Sequence, residues 1–262
     1  MNVFILCDLE GIAGITDIGF MDRKSEKYEQ SRALCARSIN LSIEAAFEAG
    51  AETVYYFDSH GGGGTVYKEV IDPRAIRCEN LVEWMELLCA NCFDCMIEIG
   101  SHARAGTIGG FLDHTFSSAS YFSEKINGIE MSELSCHALI CSAHDVPIIA
   151  CIGDEVACKQ AKEYIPDIYT GAVKWADCRN VATDYPNADE ILQSTVKEAI
   201  ANYDKVSLYR LPEPITVEIT YYRTDMCEEV LAQCGADVTR VDARTLRRTV
   251  PHINTYKDVK MH

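Results

Sequence analysis

In the N-terminal half of the chain, apolar runs of strand length alternate with longer helical patterns, and the apolar runs end in polar clusters. Strand, helix, strand in this rhythm builds β-α-β units and therefore a parallel sheet. Residues Asn2 to Cys7, Glu52 to Phe57 and Cys95 to Ile99 read as the first three strands, with helices over Ser25 to Gly50 and Leu81 to Leu88. Ser132 is placed to cap a helix running to about His144, followed by a strand from Pro147 to Ile152, a helix over Glu155 to Tyr164 and a strand over "IYTGAVK". Beyond Trp175 the pattern changes: a helix is expected over Asp189 to Asn202, and "ITVEITYY" alternates as a half-buried strand does. The expected fold is α/β, a mainly parallel sheet flanked by helices, with a C-terminal α+β portion. The expected division is residues 1–175 and residues 176–262, packed together because no flexible linker separates them.

Ligands of open parallel sheets bind outside the carboxyl ends of the strands, where loops and helix N-termini gather. The first predicted strand ends in Asp8-Leu9-Glu10, the second in Asp58-Ser59-His60 and the third in Ser101-His102. In extended chain, residues two apart project to one side roughly 6.5 Å apart, so Asp8 and Glu10 can address one site while Leu9 enters the core. Taken singly, an acid after a strand is a turn residue and a lone histidine a hydrogen-bonded bystander. Together, carboxylates and imidazoles at one sheet edge call for a cation, and Asp/Glu with His is the donor set of zinc and its first-row neighbours. On residue type alone, Glu133 is a first-turn acid favoured by the helix dipole, and His114 is a surface histidine in a long loop.

The remaining composition narrows the function. A formal net charge of −16 and the lack of a basic stripe argue against nucleic acid and anionic membranes as partners. The start "MNVFILCDLE" has no basic n-region and no apolar run is long enough for a bilayer, so the cytoplasm is the expected location. The 13 cysteines are odd in number in a long chain, which suits reduced core residues better than a disulfide framework. "CANCFDC" puts Cys89, Cys92 and Cys95 at iron-sulfur spacing, but the fourth cysteine is absent and packing is the reading preferred. His137, His144, His252 and His262 are read as structural or surface residues. "HGGGG" is neither a Walker loop nor part of a lipase-type site, since no Gly-Lys-Ser/Thr and no G-x-S-x-G accompanies it.

Five ordered blocks, "DLEGIAG", "DSHGGG", "SHARAG", "DHTF" and "INGIEMSELS", resemble the signature of the bacterial, dipeptide-transport-associated zinc-dependent D-aminopeptidases. The likeness extends over about Met1 to Lys174. It implies two zinc ions per subunit, other first-row divalent metals being possible, with Asp8 bridging both, Glu10 and His60 completing one site, and His102 and Glu133 the other. It makes His114 the active-site histidine. It also implies a homodecamer of two stacked pentamers and short peptide substrates containing D-residues, such as D-Ala-D-Ala.

The expected reaction is release of the N-terminal residue by a zinc-bound hydroxide, with His114 as general acid/base or oxyanion donor. Asp58 and Asp113 are expected to orient His60, His114 or their loops, and Arg104 to meet either a substrate carboxylate or a nearby acid. A slightly longer loop between His102 and His114 and a glycine-richer Gly61–Gly64 run depart from the family pattern, which opens specificity to L- or β-amino acid peptides. The alternatives are a two-metal phosphoesterase, and a metal-binding scaffold without activity.

Overall fold

The structure, a computed structural model, describes residues 1–261; His262 lies outside the described residues. Seven strands form the larger sheet: β1 (Asn2–Cys7), β2 (Thr53–Asp58), β3 (Ile76–Arg77), β4 (Cys95–Ser101), β7 (Ile148–Asp154), β8 (Tyr169–Cys178) and β9 (Val181–Asp184). Their order is β3-β2-β1-β4-β7-β8-β9, all parallel except β9, which runs antiparallel to β8. The central strands are nearly continuous apolar runs because both faces of such a sheet are covered. Every residue of β4 and β7 is buried, and in β1 all but Asn2.

Six helices accompany the strands: α1 (Glu26–Glu48), α2 (Leu81–Cys89), α3 (Glu133–Ala143), α4 (Glu155–Tyr164), α5 (Ala188–Ala201) and α6 (Thr224–Leu231). Local chemistry sets several of their ends. The Ser25 hydroxyl accepts from the Tyr28 N–H at the start of α1, and Ser132 and Ser135 cap each other's backbone N–H at the start of α3. Helix α1 packs on β1 and β2, α5 lies beside α1 and reaches β7 and β8, and α3 and α4 pack against β7.

Growth of the sheet reverses beside β1: β2 and β3 extend it one way, β4, β7 and β8 the other. The crevice at the carboxyl ends of β1 and β4 is thus the expected ligand position in an open α/β sheet. Backbone contact there is close. The Asp8 N–H donates to the Ile99 carbonyl at 2.9 Å and the Gly11 N–H to the Gly100 carbonyl at 2.8 Å. Gly100 has φ +74°, and a Cβ on it would lie 2.0 Å from the Asp8 carbonyl oxygen.

A second, antiparallel sheet has the order β11-β12-β10-β5-β6. It comprises β5 (Tyr121–Ile126), β6 (Ile129–Glu130), β10 (Ile215–Tyr221), β11 (Val238–Arg240) and β12 (Thr245–Val250). Buried and half-buried residues alternate along β10, as its sequence demands. The β5–β6 hairpin turns at Asn127 and Gly128, both at positive φ. Sheet membership crosses position 175 in both directions: β5 and β6 belong to the second sheet, while β9 joins the first and α5 packs on it.

Nine of the thirteen cysteines are buried and none is bridged. Cys95 is buried in β4 whereas Cys89 is exposed, and no cysteine takes part in a metal-competent donor cluster among the described residues.

Two outcomes are expected. Gly100→Ala combines a backbone overlap with an unfavourable φ, so urea denaturation should show a loss of at least about 2 kcal/mol. Glu124 in β5 is buried, and burial pushes its carboxyl from 4.5 up to about 7, against the opposing pull of Lys260. The folded chain therefore keeps this proton to higher pH than the unfolded chain. Between pH 4.5 and about 7 the unfolded state loses it first, and stability falls as pH rises through that window. Glu124→Gln should remove this slope, gaining on the order of 3 kcal/mol at pH 8 relative to pH 4 when compared with the parent chain.

Candidate metal and catalytic centre

The groups expected at one edge are delivered there by the backbone. Asp8 and Glu10 follow β1 directly, with Leu9 between them buried in the core. The Ser59 N–H and hydroxyl both donate to the Cys7 carbonyl, at 2.8 and 3.0 Å, and draw the loop after β2 against the end of β1. His60 begins a tight turn in which Gly61 to Gly64 all have positive φ, a conformation that side chains resist. His102 follows β4. The His114 N–H donates to the Ala103 carbonyl at 3.2 Å, folding the distant loop back over His102. Glu133 opens α3, and one of its oxygens accepts from the Phe116 N–H at 2.7 Å.

Asp8 divides its carboxylate between two histidines. Its Oδ1 lies 3.2 Å from His60 Nδ1 and its Oδ2 lies 3.2 Å from His102 Nε2. Glu10 Oε2 completes the first group at 3.1 Å from His60 Nδ1. Glu133 Oε1 completes the second, 3.3 Å from His102 Nε2 and 3.7 Å from His114 Nε2. The His102 and His114 rings stack with centroids 4.0 Å apart and planes within 7°. Asp8, Glu10 and His60, and likewise His102, His114 and Glu133, present donor atoms close enough to share an ion.

Electrostatics follow from that crowding. Burial opposes ionisation of Asp8 and Glu10 adds repulsion, yet the His102 and His60 imidazoles beside it hold the Asp8 carboxyl below its ordinary range. Glu10 is held low against burial by His60, and Glu133 by His102, the latter to about 2. Burial penalises charge on His60, but Glu10 and Asp8 push it up to about 11. His102 is raised well above the usual imidazole range against the same penalty, by Asp8 and Glu133. Two buried carboxylates and a half-buried third require positive charge.

The donor chemistry fits a metal. His102 Nδ1 lies 3.1 Å from the Ala103 carbonyl, which only accepts, so Nδ1 carries a proton and Nε2 is the nitrogen turned toward Asp8 and Glu133 for an ion to meet. That buried Nε2 has no hydrogen-bond partner. An imidazole nitrogen and two carboxylates converging on one point suit a divalent first-row cation, which would replace the proton that they otherwise share.

The other expected site residues lie elsewhere. Asp58 accepts from the Val66 N–H at 2.8 Å and so braces the loop after His60, without a bond to the imidazole. Asp113 accepts from the Gly106 and Thr107 N–H groups and pairs with Arg179 at 2.9 Å; His114 is oriented instead by the Leu112 carbonyl, 2.8 Å from its Nδ1. Arg104 pairs with Glu163 at 3.1 Å, outside the metal-competent groups.

Sequence reasoning missed Lys174. This fully buried side chain donates to the Glu10 and Ile15 carbonyls, at 3.1 and 2.5 Å, holding the turn after β1. Burial pushes its amine down to about 8, against Asp184, Asp154 and Glu10. A lysine closing the apolar run "IYTGAVK" was the available signal. The cavity of about 350 Å³ over the centre also takes in Leu81, Phe116 and Tyr256, none of them assigned a role from sequence, and His137, which was read as structural or surface.

Comparison with known proteins gives the family. A D-aminopeptidase of Bacillus subtilis (strain 168) is 27% identical over 246 residues, covering 91% of this chain and 88% of the relative. The solved structure of the Zn-dependent D-aminopeptidase DppA from Bacillus subtilis, described as a self-compartmentalizing protease, superposes with a TM-score of 0.88. It is 25% identical and the match covers 96% of this chain and 92% of that one. The peptidase family model described as D-aminopeptidase matches residues 1–259, and the chain, an enzyme of the peptidase class, belongs to that family.

Proposed function

We propose that the protein is a two-zinc aminopeptidase that releases the N-terminal residue of short D-amino acid peptides such as D-Ala-D-Ala. The observation that carries this reading is the division of one carboxylate, Asp8, between two histidine-containing donor groups at the mouth of a single cavity. Asp8, Glu10 and His60 would hold one ion; Asp8, His102 and Glu133 would hold the other. When bound, the ions supply an acidified water and polarise the scissile carbonyl.

The chain's own groups do the rest. Water oxygen adds to the carbonyl carbon, the C–N bond breaks, and the departing amine takes up a proton. His114 suits that transfer: its Nδ1 proton is committed to the Leu112 carbonyl, which fixes the ring and leaves Nε2 beside Glu133 to give or take a proton. Lys174 fixes the backbone that carries Glu10. D-specificity and zinc are supported by the named relatives, and a homo-oligomer, a decamer in our reading, by the self-compartmentalizing one. Membership of a peptidase family favours this function over phosphoesterase or scaffold. No helix among the described residues is long and apolar enough to cross a membrane, in keeping with a cytoplasmic enzyme.

Zinc-loaded protein should release alanine from D-Ala-D-Ala much faster than from L-Ala-L-Ala, and a chelator should stop it. Preference for the L-peptide would contradict the assigned stereochemistry, and release from neither would contradict the peptidase reading. Asp8→Asn should lose both metals by elemental analysis and at least about 10³-fold in rate. His114→Ala should keep both and lose roughly 10²–10⁴-fold in kcat; full turnover in that variant would remove His114 from the chemistry.

A further inference from the structure

The wall of the cavity that includes His137 has its own charge arrangement. His137, on α3, is buried, and its Nδ1 lies 2.9 Å from Glu98 Oε2. The other Glu98 oxygen accepts from the Ser101 hydroxyl at 3.1 Å. A carboxylate that accepts on both sides fixes the imidazole with its proton on Nδ1 and frees Nε2. That nitrogen has no hydrogen-bond partner among the described residues, although the ring lines the cavity. Around it stand aromatic edges: Trp84 and Phe116 meet the ring at 5.7 and 6.0 Å between centroids, both T-shaped, and Tyr256 packs on Phe116.

A second observation carries the same sign. The Lys260 amino group is buried without a hydrogen-bond partner among the described residues and lies 2.7 Å from the centroid of Phe116, which lines the cavity. Neither Arg nor Lys lines the cavity itself. On this wall the groups able to donate to an anion are the His137 Nε2 side of the ring and, behind Phe116, Lys260, which faces the buried Glu124 of β5; the Asp8, Glu10 and Glu133 carboxylates line the rest of the cavity. An anion at the free Nε2 would supply the hydrogen-bond partner that the ring lacks there. A short peptide brings one anion, its C-terminal carboxylate.

We infer that His137 is a specificity-determining residue whose Nε2–H binds the C-terminal carboxylate of the substrate, so that the enzyme reads both ends of a very short peptide. This deepens the aminopeptidase reading and rests on it. An imidazole held between two carboxylates, Glu98 and the substrate's, donates one N–H to each. A cavity of about 350 Å³ lies at the lower end of the range for ligand sites, in keeping with a very short peptide.

The test is binding and turnover of D-Ala-D-Ala against D-Ala-D-alaninamide, which differ in that one charge. Titration calorimetry on the metal-free full chain, where no turnover interferes, should give tighter binding of the acid by about tenfold or more. On zinc-loaded protein the same ratio should appear in KM. His137→Gln should shrink the acid-to-amide ratio to within about threefold. Lys260→Met, which removes the amino group over Phe116 and lets the buried Glu124 keep its proton, should lower it by several-fold. Equal binding of acid and amide by the parent chain, or variants that weaken both alike, would overturn the assignment. A zinc-loaded chain that prefers the acid yet releases no alanine would sink the peptidase function while upholding the carboxylate site.

Discussion

One carboxylate shared by two imidazoles is the constraint on which the rest of the centre depends. Asp8 can face His60 with one oxygen and His102 with the other only if the ends of β1, β2 and β4 lie side by side. The parallel order supplies the adjacency, and the glycines supply the closeness: a Cβ at Gly11 would lie 2.2 Å from the Ser101 carbonyl oxygen, as one at Gly100 would overlap Asp8. Small residues here are a requirement of position rather than of flexibility. The charge so concentrated is costly when buried, and Lys174, capping the turn from below through backbone carbonyls, is part of how the fold tolerates it.

The second sheet and the C-terminal segment complete what the parallel sheet begins. The long loop after β4 carries His114 and Phe116 over the centre and then enters β5, whose partner β10 comes from nearly a hundred residues later. Tyr256 and Lys260, close to the end of the chain, meet Phe116. The cavity thus has a metal-competent side built from strand ends and an aromatic side built from α3, this loop and the tail. The first side suits bond cleavage and the second suits selection.

Legibility in the sequence followed the range of the interactions. The parallel strands, both serine caps and four of the five metal-competent residues lying at strand ends or helix starts were readable because local pattern and strand order determine them: Asp8, Glu10, His60 and His102 each sit within three residues of a strand. Glu133 and His114 acquired a role only through the family resemblance, since a first-turn acid and a loop histidine are locally unremarkable. The Asn127-Gly128 turn was a readable hairpin signal, but "YFSEKI" lacks the clean alternation that would have marked its strand. For Asp113 the sequence could not name the partner, and for Arg104 it left a substrate carboxylate and a nearby acid both open. Their partners, Arg179 and Glu163, are more than fifty residues away, and only the tertiary fold brings them near.

The central claim is that Asp8 joins two ions. Anomalous diffraction recorded at the zinc edge from crystals of the zinc-loaded protein tests it most directly. The account predicts two peaks per subunit, one between Asp8 and the Glu10–His60 pair and one between Asp8 and the His102–Glu133 pair. A single peak, or two peaks of which one lies away from Asp8, would contradict it.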